Sequence, residues 1–469
     1  MSGVVSVKRH FGRYILAYFA LFAFMRVVSK PVLELDEAEL IYLSQWWFWG
    51  YGPQPPLYSW LQNAFVFVLG PNLWSIALLK ALLYGLIFYF SYRIGLHFFN
   101  RSWAVVSSML LFSSLELMVH SFRHSHTLLV VAMVLISFTL FLSCLENTTF
   151  LNALLLGGAF ALGMLSKYNF GIFILSLIII VFINSGYRLK LRNPSLWMGL
   201  VLGALLSLPH GLWLLNNWNE VQQSVAADMV PERQPYFTNV IKGLSDMTAD
   251  SISIIFPMVM IVLVFAGLKN KLRQLIKFRH PGKTFLPAQV LLIQLSIMLG
   301  LIFLGLMSDV NVRWLQPVWI MLPFILVYWI RLKLQSLEPD GLIRWLGIGA
   351  ILLLLFHPLR NQGELLFGLT NRTHCDFQEL ADNLSAQHYS YNAFLTRGYF
   401  MAGNLRMQFP DELVLCTFWE PPEPFRDSMM MVVMNSEMKL DENQNRTLLL
   451  DENTCFQAWF QEEAPEKAR

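Results

Sequence analysis

Runs of about 20 apolar residues, the length that crosses a bilayer as an α-helix, recur along this chain of 469 residues. Only 14% of the residues are charged, against about 25% in soluble proteins, so a water-soluble fold is excluded. The chain is therefore predicted to be a polytopic α-helical membrane protein. Charged residues divide the apolar sequence into eleven predicted spans, at residues 14–30, 73–92, 104–121, 126–144, 150–166, 169–185, 196–215, 251–268, 286–307, 314–330 and 343–358.

Positive charge orients these predicted spans. Lys8, Arg9 and Arg13 precede the first span, which places the N-terminus in the cytoplasm under the positive-inside rule. No signal-peptide cleavage pattern precedes that span. Alternation of the spans puts the basic segments 188–192 and 269–283 on the same cytoplasmic side. With eleven spans, the C-terminal tail lies on the opposite, exocytoplasmic side.

Charge also divides the chain into two predicted domains. Residues 1–358 carry 25 basic and 14 acidic residues, whereas residues 359–469 carry 9 basic and 17 acidic ones. A basic membrane domain is thus joined to an acidic tail, and the overall pI of about 8.6 does not indicate nucleic-acid binding.

The tail pattern predicts a small α/β domain. Apolar periodicity gives helices around Asp376–Ala386 and Tyr399–Phe409, with strands at Ala393–Thr396, Glu412–Phe418 and Met430–Met434. Three of the four cysteines fall in this tail, so an oxidising compartment would allow one bridge and one free thiol among Cys375, Cys416 and Cys455.

The segment between the first two spans, residues 31–72, is too polar to span and unusually rich in aromatic residues. Its sequence ELDEAELIYLSQWWFWGYGPQPPLYSWLQ predicts amphipathic helices lying in the membrane interface. Pro53, Pro55 and Pro56 should break the helix between an acidic half and an apolar half. A connector that only rests on the membrane is the plain alternative. A second long outer loop is expected at residues 217–250.

Several of these segments resemble the GT-C glycosyltransferases. Asp36-Glu37 followed by GYGPQPPLYSW at residues 50–60 is similar to the first outer loop of that class, and to the bacterial aminoarabinose and galacturonic acid transferases that modify lipopolysaccharide. These are relatives of the protein O-mannosyltransferases. The resemblance continues through LLKALLYG at 78–85, SFRHSHTLLV at 121–130, GMLSKYNFG at 163–171, RWLQP at 313–317 and AGNLRMQFPD at 402–411.

This resemblance implies a multi-pass protein of a bacterial inner membrane with a periplasmic tail. It implies transfer of a sugar, with inversion, from a polyprenyl-phosphate donor to a lipid or glycan acceptor such as lipid A or core lipopolysaccharide. The absence of a P-loop or GxGxxG motif agrees with a membrane-anchored donor rather than a nucleotide sugar. No cofactor is expected.

The resemblance places Asp36 as the base that activates the acceptor hydroxyl, and adjacent carboxylates raise at least one pKa by repulsion. Glu37 lies about 100° away on a helix and is expected to support Asp36 or orient the acceptor. The structural alternative, a solvated face or a helix cap, suits Glu34 and Glu39 better.

A departing phosphate needs cationic support, and outer-side cations are few. Arg123, Lys167 and Arg313 each lie at the outer end of a different predicted span, and we expect them to bind the donor phosphate. Tyr168, next to Lys167, is also expected to bind the phosphate or sugar of the donor. Snorkelling to the interface is the alternative. Lys80, about two turns into the second span, is expected to pair with a carboxylate such as Glu116.

Two positions depart from the aminoarabinose branch. Gln54 stands where those enzymes tend to carry lysine in the proline block, which shifts phosphate binding to the remaining cations and favours the galacturonic acid branch. His124 and His126 occupy a region where many relatives have an acidic residue. They could shuttle protons or bind metal, but two histidines two residues apart are weak evidence, so no metal is predicted.

The rival hypothesis is a transporter or flippase of a polyprenyl-linked or envelope lipid. Transporters place ionisable residues near the bilayer midplane and often carry inverted repeats with broken helices. Here the charges lie at the outer ends of apolar spans and no repeat is evident. The pattern favours the transferase.

Overall fold

A computed structural model describes most of the chain. The residues it describes are 2–120, 125–230, 234–269, 271, 285–334, 337–367, 375–386, 393–396, 398–416, 430–434 and 447–449.

Helices dominate these residues. In chain order they are α1 Ser2–Ser29, α2 Leu35–Leu43, α3 Leu57–Leu69, α4 Leu73–Phe98, α5 Arg101–Met109, α6 Leu115–Met118, α7 His126–Glu146, α8 Phe150–Ser166, α9 Phe170–Ile183, α10 Ser185–Arg188, α11 Pro194–Asn216, α12 Trp218–Met229, α13 Tyr236–Leu268, α14 Leu286–Phe303, α15 Val312–Trp319, α16 Leu322–Lys333, α17 Asp340–Leu366, α18 Phe377–Ala386 and α19 Tyr399–Gln408. Short 3₁₀ turns cover Leu110–Ser113 and Leu189–Arg192.

Six of the described helices are long and apolar enough to cross a membrane, namely α1 from Val4, α4, α7, α11, α13 and α14. Three bent helix pairs raise the number to as many as nine, if each pair forms one span: α9 with the segment 185–192, α15 with α16, and the two halves of α17. The protein is thus a polytopic helical membrane protein, as predicted.

The predicted spans at 104–121 and 150–166 are not among these nine. The first is broken into α5, a 3₁₀ turn and α6, because serine side chains bond the local backbone there: Ser113 Oγ donates to the Leu110 carbonyl, and Ser114 Oγ accepts from the Leu117 N–H at 3.3 Å. The second is the apolar helix α8, with only 17 residues.

The proline block separates α2 from α3 as predicted. The predicted outer loop at 217–250 contains helix α12 and the first part of α13, and its position outside the membrane stays a prediction. Polar composition does not exclude a helix, and the stretch from Trp218 to Met229 contains no proline or glycine.

The chain divides into two compact units. Unit 1 comprises Met1–Phe19, Phe48–Tyr58 and Leu82–Leu353, and unit 2 comprises Ala20–Trp47, Ser59–Ala81 and Leu354–Arg469. These compact units divide the chain differently from the predicted boundary between a membrane domain and a tail at residues 358 and 359. That predicted boundary stays a prediction.

Unit 1 contains a helix pair whose backbones touch. A Cβ atom on Gly157 of α8 would lie 1.8 Å from the carbonyl oxygen of Gly199 in α11, and one on Gly199 would lie 2.0 Å from the Ala153 oxygen. Gly203 approaches Gly157 in the same way. Small residues four apart on each helix allow this contact, as they do in many membrane helix pairs.

Unit 2 contains the sheet. Its strands are β1 Ala393–Thr396, β2 Leu413–Cys416, β3 Met430–Met434 and β4 Thr447–Leu449, in the order β2-β1-β3-β4 and all parallel. The predicted elements α18, α19 and the first three strands are confirmed, but β4 was not expected. Its sequence lies in a strongly polar region, where a three-residue apolar run gives little signal.

Candidate active site

The acidic helix α2 in unit 2 carries Asp36 and Glu37, and it separates them by burial. Asp36 is partly exposed, whereas the Glu37 side chain is fully buried. Consecutive helical residues point about 100° apart, which puts the two carboxylates in different surroundings, as expected.

Glu37 is the centre of a buried ion cluster. Its Oε2 accepts from Arg26 Nη2 at 2.5 Å, and its Oε1 accepts from Lys80 Nζ at 2.9 Å. The backbone N–H of Glu34 also donates to Oε2, at 3.0 Å. All three charged side chains are at most 1% exposed, so two helices, α1 and α4, hold α2 through one carboxylate.

This cluster keeps Glu37 ionised. Burial alone would raise the pKa of Glu37, but the adjacent charges and hydrogen bonds of Arg26 and Lys80 outweigh it and lower the pKa to about 2. Arg26 is fixed in turn, since Nη1 donates to the Lys30 carbonyl at 2.8 Å and Nη2 to the Val32 carbonyl at 3.0 Å. The geometry suits a residue that supports α2.

The expected partner of Lys80 was wrong. Lys80 pairs with Glu37, while Glu116 bonds His120 Nδ1 at 3.0 Å. Pairing with a carboxylate is confirmed, but residues 37 and 80 are 43 positions apart, so local periodicity could not select the partner. Sequence reasoning also missed Arg26, whose only signal is an arginine within the last turn of an otherwise apolar span.

The proline block in unit 1 is a tight, non-helical turn. Gly52 has a positive φ of 60°, which glycine adopts without strain. Gly50 lies against the Trp213 ring, where a Cβ would meet a ring atom at 2.2 Å. Gln54 donates its backbone N–H to the Tyr51 carbonyl at 3.4 Å, and its side chain is partly exposed.

A neutral hydrogen-bond chain links this block to the SKYN turn between α8 and α9. His210 Nδ1 lies 2.6 Å from the Trp49 carbonyl oxygen and therefore donates to it. In neutral His210, Nε2 is then the acceptor, and the Tyr168 hydroxyl, 3.2 Å away, is its donor. Burial raises the pKa of Tyr168 to about 12, which keeps it protonated. His210 was missed because it is a lone histidine in an apolar span.

Lys167 lies beside Tyr168 and is surrounded by both neutral and charged groups. Its Nζ donates to Thr127 Oγ1 at 3.2 Å. Lys167 also acts on Asp228, whose pKa is raised, first by burial and then by Asp309, against the opposing effect of Lys167. Asp309 pairs with Lys242 at 3.1 Å. These carboxylates reduce the positive potential that Lys167 offers to an anion.

The other predicted site residues fall as follows. Arg313 is in the first turn of α15, where its backbone N–H donates to Asn311 Oδ1 at 2.9 Å. The His126 ring packs against Tyr58 with centroids 5.2 Å apart. Arg123 and His124 lie outside the described residues. Within the described part of the chain, no group of three or more His, Cys, Asp or Glu side chains could hold a metal ion.

The structure therefore brings Glu37 and Lys80 together in unit 2, on and beside the helix that carries Asp36. In unit 1 it places Gln54, Lys167, Tyr168 and Arg313. The catalytic and donor-binding roles of these residues stay predictions.

Comparison with known proteins adds to this geometry. Residues 53–213 match the family described as dolichyl-phosphate-mannose-protein mannosyltransferase. The chain is 27% identical over 424 residues to the lipopolysaccharide core galacturonosyltransferase RgtA of Rhizobium johnstonii, covering 88% of this chain and 83% of the relative. It is also 27% identical to RgtB of the same organism, over 85% of this chain and 81% of that one.

The fold agrees with solved structures. ArnT from Cupriavidus metallidurans bound to undecaprenyl phosphate superposes with a TM-score of 0.60 at 13% identity, over 89% of this chain and 90% of ArnT. Its apo form gives 0.58 at 12% identity, over 93% and 86%. The chain thus has the fold of ArnT.

Sequence and fold point in the same direction. The family match, the two relatives and the ArnT-like fold together support a GT-C family glycosyltransferase. The galacturonosyltransferase names of the relatives agree with the resemblance seen in the proline block.

Proposed function

We propose that this protein transfers a sugar from a polyprenyl-phosphate donor to lipopolysaccharide, on lipid A or the core, at the periplasmic face of the inner membrane. Two findings on similar proteins support the substrates: RgtA and RgtB are named for the lipopolysaccharide core, and ArnT was solved with undecaprenyl phosphate. Their names make galacturonic acid the first sugar to test.

The observation that carries the proposal is the different burial of the two neighbouring carboxylates on α2. Glu37 is buried and matched by two cations, so it holds the helix, while the neighbouring Asp36 stays partly exposed. A carboxylate on a helix fixed by an ion cluster has the rigid position that a general base requires.

In the proposed reaction, the Asp36 carboxylate takes the proton of an acceptor hydroxyl. The hydroxyl oxygen attacks the anomeric carbon of the donor sugar as the bond from that carbon to the phosphate oxygen breaks, with inversion. The electron pair of that bond leaves with the polyprenyl phosphate, and Lys167 and Arg313 are proposed to stabilise its growing charge.

The test is transfer by purified protein in detergent, from polyprenyl-phosphate galacturonic acid to isolated core lipopolysaccharide, followed by mass spectrometry of the acceptor. The expected result is a mass increase of one galacturonic acid residue. Donor left intact in detergent, together with movement of the donor across proteoliposome membranes, would support the transporter alternative.

The periplasmic tail is a separate part of the proposal. In a cysteine-free protein, single cysteines replace the exposed Asp382 of α18 and the exposed Arg188 of α10. A membrane-impermeant thiol reagent added to spheroplasts should label Asp382→Cys and spare Arg188→Cys. Labelling of Arg188→Cys alone would place the tail in the cytoplasm.

A further inference from the structure

The tail helix α19 and the acidic helix α2, both in unit 2, touch through their backbones. A Cβ on Gly403 would lie 2.1 Å from the Ala38 carbonyl oxygen and 2.5 Å from its Cα. Ala38 and Gly403 are both buried. Because the obstructing atoms belong to the backbone, a side chain at residue 403 cannot be accommodated by a rotamer change. Gly403 thus sets how closely the two helices approach.

Side-chain amides fix both ends of α2 to the tail. Ahead of the helix, Asn404 Oδ1 accepts from the Leu33 N–H at 2.9 Å, and Nδ2 donates to the Phe400 carbonyl at 2.9 Å. Beyond the helix, Gln45 Nε2 donates to the Val414 carbonyl at 2.9 Å, while the Val414 N–H donates to Gln45 Oε1 at 3.0 Å. The second pair extends the edge of strand β2 with a side-chain amide.

These bonds matter because α2 has only nine residues, and an isolated helix of that length is not stable in water. Tertiary contacts therefore determine where it lies. The Glu37 cluster fixes one buried position, and the tail fixes the two ends. The hydrogen bonds of Asn404 are buried and those of Gln45 are part-buried, so breaking one leaves poorly satisfied polar groups and shifts the backbone on which Asp36 stands.

We propose that the tail is a permanent support that positions Asp36, with Gly403, Asn404 and Gln45 as its positioning residues. It acts through α2 and stays docked during the reaction, unlike a lid that opens to admit substrate. The proposal rests on the proposed function in one respect, the role of Asp36 as base.

The first experiment compares Gly403→Ala with Gly363→Ala, a helical glycine of unit 2 at which an added Cβ would meet nothing within 4 Å. Gly403→Ala should lower kcat by about 10- to 100-fold, the cost of misplacing a catalytic group by about 1 Å, with KM for the donor unchanged. Gly363→Ala should match wild type in both constants.

Hydrogen exchange of peptides covering residues 33–45 measures the docking without any transfer assay. In the wild type these amides should be protected equally with and without undecaprenyl phosphate, and Gly403→Ala should increase their exchange. Protection that appears only when undecaprenyl phosphate is added would overturn the proposal in favour of a lid.

Asn404 provides a second variant if Gly403→Ala does not fold. Asn404→Leu removes the acceptor for the Leu33 N–H, so it should lose kcat and protection of 33–45. Wild-type kcat and protection in this variant would overturn the positioning role. A wild type that is protected but transfers no sugar would refute the proposed function while leaving the docking intact.

Discussion

Polar residues are held in two different ways around α2 in unit 2 and around the SKYN turn in unit 1. At α2, Glu37 is buried and ionised between two cations. At the SKYN turn, Tyr168 and His210 form a neutral chain that ends on a backbone carbonyl, and the side chains of Lys167 and Tyr168 are partly exposed. A buried ion cluster fixes α2 through charge, whereas the neutral chain holds its groups near the SKYN turn through hydrogen bonds alone.

The sharpest way to break this comparison is to remove the charge of Asp36 or of Glu37. Asp36→Asn should lower transfer by at least about 100-fold, because a general base contributes about 10²–10⁴-fold, while thermal stability stays near wild type. The assay is transfer in detergent beside a melting curve. Glu39→Gln, another partly exposed carboxylate of α2, is the control and should keep activity. An inactive, unfolded Asp36→Asn would make Asp36 structural.

Glu37→Gln should act on stability. It leaves Arg26 and Lys80 buried without their counter-charge, which typically costs about 3–5 kcal/mol. The control is Lys242→Gln, which breaks the exposed Lys242–Asp309 pair and should cost less than about 1 kcal/mol. Denaturation in mild detergent measures both, and equal stability losses would contradict the buried cluster.

The Glu37 carboxylate also makes the stability of the fold depend on pH. The pKa of Glu37 falls from 4.5 to about 2 on folding, so its stabilisation is complete above about pH 4.5 and lost as pH falls towards about 2. The shift corresponds to about 3 kcal/mol. Between about pH 4.5 and 2, the free energy of unfolding should fall more steeply with decreasing pH for the wild type than for Glu37→Gln. Parallel curves would show that Glu37 is not held as an ion.

In unit 1 the test concerns the donor phosphate. Lys167→Gln or Arg313→Gln should each cost about 2–4 kcal/mol in the transition state, about 30- to 1,000-fold in rate, on the scale of a lost oxyanion donor. Gln54→Lys restores a cation in the proline block and should partly rescue either variant if the three groups bind one phosphate. Rates of single and double variants decide this, and strictly additive losses would contradict it.

The smallest expected effect belongs to the neutral chain. Tyr168→Phe removes the hydrogen bond to His210 and should cost about 0.5–1.5 kcal/mol of stability. Tyr236→Phe, which removes an exposed bond from a tyrosine hydroxyl to the Phe303 carbonyl, is the control. If Tyr168→Phe instead abolished transfer at normal stability, the hydroxyl would have a direct role in catalysis.

Local patterns predicted most of the fold and only part of the site. Apolar runs and proline signals located the long helices, the break before α3 and the tail strand at Ala393–Thr396, because those features depend on neighbouring residues. Ser113 and Ser114 broke a span that hydropathy alone could not divide. Lys80 and His210 have partners 43 and 161 positions away, and the partner of Arg26 lies on a different helix, so periodicity could not assign them.

The touching backbones of α8 and α11 limit where a lipid can enter. Between Ala153 and Gly203 there is no side chain at the closest contacts that could swing aside to open a gap. A polyprenyl chain could pass there only by pulling the two helices apart. The lipid tail of the proposed donor would therefore enter through a different pair of helices, and a bulky residue at Gly157 would force α8 and α11 apart.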